Sequence, residues 1–134
     1  VKNELALAKA LGLASYAKSV GKSKLLIRRL DGVDGSGLQS AASSLIDHLG
    51  KYSAVVFGGI PNQEIDNKLV FVAAFSPDLV LDGFHAGKFI SGVAKMCGGG
   101  GGGRPNLAQA GGSQPQSLDL ALEKANDDLT QQLS

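Results

Sequence analysis

The sequence predicts an α/β (α+β) fold: a small mixed β-sheet with packed helices, preceded by an N-terminal helix. Three observations lead there. The runs YSAVVFGGI (52–60) and KLVFVAAF (68–75) are apolar, β-branched and short, as buried strands are. Segments with apolar residues at helical spacing lie on either side of them. The 134 residues suffice for one domain with a real core, and not comfortably for two.

The elements follow in order. KNELALAKALGLASYAKS (2–19) is rich in Ala and Leu and lacks Pro, which predicts a helix with Gly21 at its C-cap. In KSKLLIRRL (22–30), Leu25 and Ile27 stand in a segment interleaved with charged residues, which predicts a half-exposed strand. DGVDGSG (31–37) is a turn cluster, from which Asp34 or Ser36 can cap the next helix, with Leu38, Ala42, Leu45 and Leu49 on one stripe. The two apolar runs come next and are expected to pair as an antiparallel hairpin. SPDLVLD (76–82) starts a short helix, with Ser76 as cap, Pro77 in the first turn and Gly83 as breaker. HAGKFISGVAKM (85–96) is helical, with Phe89, Ile90, Val93 and Ala94 on one side. NLAQAGG (106–112) is one more short strand. The final helix, 117–133, carries Leu118, Leu122, Ala125 and Leu129 on one stripe, with Ser117 as cap and Asp119 at the positive end of its dipole. The expected division is a helical segment over 1–21, the end of a longer helical subdomain, and a globular domain over 22–134 with a glycine-rich loop at 98–103.

Composition narrows the function. The apolar share is 43% and the formal net charge is +1. No apolar run approaches the roughly 20 residues of a membrane span, so no membrane partner is expected. A single cysteine cannot form an internal disulfide, and a reducing compartment is the expectation. The start at Val1 suggests a piece of a longer protein. Charge is polarised: Lys22, Lys24, Arg28 and Arg29 belong to a basic beginning, and Asp119, Glu123, Asp127 and Asp128 to an acidic end. The two His and one Cys are far apart, which gives no metal-ligand set, and no nucleophile motif stands out. Cys97 is expected to be a buried small residue, His85 a helix-start residue, and His48 a favourable charge near a helix end.

CGGGGGGRPNLAQAGG (97–112) is the unusual stretch. Six consecutive glycines can be a flexible linker, a cradle of backbone N–H groups for an anion, or a place of close backbone packing without a ligand. Ordered-looking segments resume at once and Pro105 stiffens the exit, which weighs against a linker. For the cradle, Arg104 adds a planar phosphate donor, and Lys88 and Lys95, seven residues apart, share a helix face. The spacing matches neither a Walker loop nor a dinucleotide fingerprint.

HAGKFISGVAKMCGGGGGGRPNLAQAGG resembles the signature of the C-terminal domain of the alanyl-tRNA synthetases, itself similar to the DHH-associated domain of DHH-type phosphoesterases. The resemblance extends over nearly the whole chain. It implies a domain that performs no chemistry but grips the outer corner of tRNA, where the D and T loops meet. Aminoacylation and editing would then be carried out by upstream domains of an alanine–tRNA ligase, which would use ATP, Mg and zinc. It further implies a cytoplasmic or organellar protein, and a possible homodimer. The residues that would contact tRNA are Lys88, Lys95, Gly100, Gly101, Gly102, Gly103, Arg104, Gln109, Gly111 and Gly112, with Lys22, Lys24, Arg28 and Arg29 as a second cluster. Two alternatives stand beside it: a substrate-binding accessory domain of a DHH-type phosphoesterase, and a pure dimerisation module. Phosphoesterase versions place a His after the glycines, where this chain has Arg104-Pro105.

Overall fold

A computed structural model describes residues 17–21, 23–33, 35–60 and 68–133. Six strands form one mixed sheet: β1 (Lys18–Val20), β2 (Ser23–Arg29), β3 (Ser53–Gly59), β4 (Leu69–Phe75), β5 (Gly100–Gly103) and β6 (Leu107–Gly112). Their spatial order is β1-β2-β3-β4-β6-β5. Among the described residues four α-helices accompany them: α1 (Gly35–Leu49), α2 (Pro77–Leu81), α3 (Ala86–Lys95) and α4 (Leu118–Leu133). Only β2 and β3 run parallel, and α1 is the crossover that this direction requires.

The sheet separates two cores. Successive side chains of a strand point to opposite faces. Ala54, Val56, Leu69, Phe71, Ala73 and Phe75 therefore pack with α2, α3 and α4. Val55, Phe57, Val70, Val72 and Ala74 pack with Leu38, Ala41, Ala42 and Leu45 of α1. Burial on both faces explains why β3 and β4 show no polar alternation.

The expected hairpin of 52–60 and 68–75 is present, with Ala54 opposite Phe75 and Gly59 opposite Val70. The stripe Leu118, Leu122, Ala125 and Leu129 is buried as expected. Several expectations need correction. The helix over 2–19 lies outside the described residues as far as residue 16, and Lys18–Val20 is a strand. Gly21 (φ 60) is consequently the turn of a β1–β2 hairpin, in which Val20 faces Ser23, and not a helix cap. β2 is an inner strand between β1 and β3, and Leu25 and Leu26 are both buried because α4 covers one face and α1 the other. Asp34 lies outside the described residues, and Ser36 falls inside α1. Ser76 precedes α2 without capping it, since its Oγ accepts from the buried Ser53 N–H at 3.1 Å. A 3-10 turn, Pro115–Ser117, leads into α4.

The glycine tract is the largest correction. Gly100–Gly103 is no loop but the edge strand, antiparallel to β6, with Gly101 opposite Ala110 and Gly103 opposite Ala108. Neither Gly100 nor Gly102 has a left-handed φ. The tract needs glycine for closeness instead. A Cβ on Gly101 would lie 2.5 Å from Ala110 Cα, and one on Gly103 2.9 Å from Ala108 Cα. Gly100 would meet nothing within 4 Å.

Candidate functional site

Helix α3 lies across the glycine strand. Close contact is possible because the second residue of α3 is a glycine: a Cβ on Gly87 would come within 2.7 Å of Gly103 O and 2.8 Å of Gly103 N. The N-terminus of α3 is fixed twice. Ala86 N–H donates to Pro105 O at 2.8 Å. Lys88 N–H donates to His85 Nδ1 at 3.1 Å, so His85, expected at the start of this helix, is its N-cap.

Between α3 and β5 runs an open groove of about 470 Å³. Lys88, Ser91, Gly92 and Lys95 form one wall and Gly101–Gly103 the other. Lys88 and Lys95 are exposed on the same helix face, as their spacing predicts. The glycine wall presents bare backbone, so an anionic chain can approach without meeting a side chain. The groove thus pairs two mobile cations with a side-chain-free surface, a combination suited to a phosphate backbone.

The other proposed residues are placed differently. Arg104 is exposed in the β5–β6 turn, where its N–H donates to Leu107 O at 3.1 Å. Gln109 points to the α1 side of the sheet and accepts from Gln39 Nε2. With Gly100, Gly111 and Lys68 it lines a separate groove of about 420 Å³. Gly112 packs close to Cys97, 2.9 Å from a notional Cβ to Cys97 Cβ.

The second basic cluster lies away from the groove. β2 is four strand spacings from β5, about 19 Å. Lys22 lies outside the described residues, Lys24 is exposed, and Arg28 is half-buried. Arg29 is engaged in ion pairs. Its Nε donates to both carboxylate oxygens of Asp31, at 3.1 and 3.0 Å, and its Nη1 to Asp119 at 3.1 and 3.3 Å. The bond to Asp31, with help from Asp119, raises its pKa further above the ordinary arginine value against the opposing effect of burial. Asp31 also accepts from Ile60 N–H at 3.0 Å, so this set ties β2 to α4 and to the end of β3.

Cys97 is buried in the core, and burial pushes its thiol pKa up. No group of three His, Cys, Asp or Glu among the described residues could hold a metal ion. Sequence reasoning missed Phe84 and Phe89, which are half-buried at the mouth of a second groove beside Lys88. A helical stripe identifies which side of α3 faces the core. It does not show how far Phe89, at the edge of that stripe, stays open.

Comparison with known proteins agrees with this architecture. Residues 22–131 match the DHHA1 domain. The chain is 96% identical over 134 residues to an alanine–tRNA ligase of Prochlorococcus marinus strain NATL1A. It is 56% identical over 130 residues to that of strain MIT 9313, and 55% identical over 130 to that of Synechococcus sp. strain WH7803. In each case the whole or nearly the whole of this chain is covered, but it spans only 15% of the relative's length. Among solved structures, it superimposes on the C-Ala domain of Aquifex aeolicus alanyl-tRNA synthetase with a TM-score of 0.71 and 29% identity, covering 88% of this chain and 97% of that one. A DHH-domain protein described as a member of the s1p family of ribosomal proteins shares the fold alone, at 15% identity and TM-score 0.60, with 96% of this chain and 30% of that one covered. The chain belongs to the DHHA1 domain family.

Proposed function

We propose that this chain is the tRNA-gripping C-terminal domain of an alanine–tRNA ligase. It holds the outer corner of tRNA while upstream domains of the same enzyme, with their own ATP, Mg and zinc, aminoacylate and edit. The observation that carries the reading is the groove in which Lys88 and Lys95 face the side-chain-free strand Gly101–Gly103. Phosphate contacts fix position and carry no sequence information, so identity of the tRNA is set elsewhere. The likeness to alanine–tRNA ligases supports the choice of tRNA over other polyanions.

The test is tRNA binding by the 134-residue chain across a salt series. Lys88→Ala and Lys95→Ala should each weaken binding to alanine tRNA and to unrelated tRNAs alike. Each should flatten the plot of log K against log salt by about 0.7–0.9. A tRNA without D and T loops that binds as well as the intact one would rule out the corner. Absence of any salt-dependent tRNA binding would overturn the reading altogether.

A further inference from the structure

The groove at the mouth of which Phe84 and Phe89 sit has a volume of about 550 Å³, within the range of small-ligand sites. We propose that it takes one unstacked nucleobase of the bound RNA, guanine ahead of the other bases, while Lys88 holds the attached phosphate. The inference rests on the RNA-binding reading above.

Three rings build the apolar part. Phe75 is buried, and Phe84 meets it edge-on with centroids 5.6 Å apart at 70°. Phe89 lies 6.0 Å from Phe75 at 57°. Phe75 is therefore an anchor, and the two rings held by it are only half covered. Rings fixed by a buried neighbour form a ready stacking platform, which any base can cover.

The polar rim selects the occupant. Asp82 and Gln132 line the groove with His85 and Lys88. A carboxylate at the rim repels a phosphate but accepts from N–H groups. Guanine presents N1–H and N2–H₂ side by side, the two-donor pattern that a carboxylate binds in arginine. Adenine, cytosine and uracil set an acceptor beside their donor on the same edge. His85 contributes a donor: its Nδ1 accepts from Lys88 N–H, so the proton of the neutral ring is on Nε2.

Continuity links the base to the backbone. His85 and Lys88 line both this groove and the glycine groove. A nucleotide at the junction can put its base among the phenylalanines and its phosphate on Lys88, with the strand continuing along Gly101–Gly103. Single-stranded loops of folded RNA supply such bases.

Mononucleotides test this on the 134-residue chain by NMR titration. Ribose 5-phosphate should shift the Lys88 and Lys95 signals only. GMP should also shift the Phe84 and Phe89 ring signals and bind roughly tenfold more tightly. Phe84→Leu and Phe89→Leu should bring GMP down to the affinity of ribose 5-phosphate and leave the latter unchanged. Phe89→Tyr, which keeps a ring, should retain GMP binding and so separates stacking from folding. Asp82→Asn should abolish the preference for GMP over AMP. Equal binding of GMP and ribose 5-phosphate, or Phe84→Leu and Phe89→Leu variants that bind GMP as before, overturns the base site. If intact tRNA still binds in those cases, the tRNA reading stands without it. If GMP behaves as expected and tRNA does not bind, the base site stands and the tRNA reading falls.

Discussion

Gly101 and Gly100 are chemically identical neighbours with opposite tolerance. Added carbon at Gly101 runs into the β6 backbone: Ala110 Cα at 2.5 Å and Gln109 O at 2.7 Å. Backbone in a paired strand cannot step aside cheaply, so Gly101→Ala should cost about 1–3 kcal/mol. Gly100 has open space and no left-handed φ. Gly100→Ala should be neutral or stabilising by up to about 0.5 kcal/mol, because alanine has less unfolded-state freedom to lose. Urea unfolding of the two variants checks the contrast, and equal costs would mean that the tract is a loose segment after all.

At the scale of elements, α3 connects stability to the site. Its first turn is pinned by His85 Nδ1 and Pro105 O, and its last residue, Lys95, borders the groove. His85→Ala should destabilise the chain by about 1 kcal/mol, and His85→Asn, whose side-chain oxygen can accept the same bond, by less. Thermal melting of both variants distinguishes a lost cap from lost bulk. This scale also shows how much could be read in advance. α3 and α4 were legible because their apolar residues repeat at helical spacing, and β3 and β4 because each is a short, continuous apolar run. β1 was not, since three residues inside an Ala- and Leu-rich run carry no pattern of their own. β5 was hidden for a different reason. Glycine has no side chain to alternate and a poor strand propensity. Only pairing with β6 and cover from α3 make that tract a strand.

For the whole molecule, strand order decides what forms one surface. Sequence spacing was enough to place Lys88 and Lys95 together on one helix. It could not separate them from Lys24, Arg28 and Arg29, because that depends on β4 and β6 standing between β3 and β5. The separation has a measurable consequence. If the glycine groove is the main contact, Lys24→Ala should weaken tRNA binding by less than twofold and leave the salt slope nearly unchanged, under conditions in which Lys88→Ala lowers both. Equal losses would mean that the RNA spans the sheet from edge to edge.

A strand of identical residues has no preferred register of its own. In most strands a slip of one residue turns every side chain to the wrong face. In β5 it turns none, because whichever residue comes to face β6 is again a glycine. What fixes the pairing is the pair of anchored ends, the close of α3 at Lys95 and the Ala86–Pro105 bond. The tract therefore sets a length rather than a sequence. An extended strand spans about 3.3 Å per residue, so loss of one glycine between these two anchored ends cannot be taken up by sliding and must pull α3 and the Arg104–Pro105 turn towards each other.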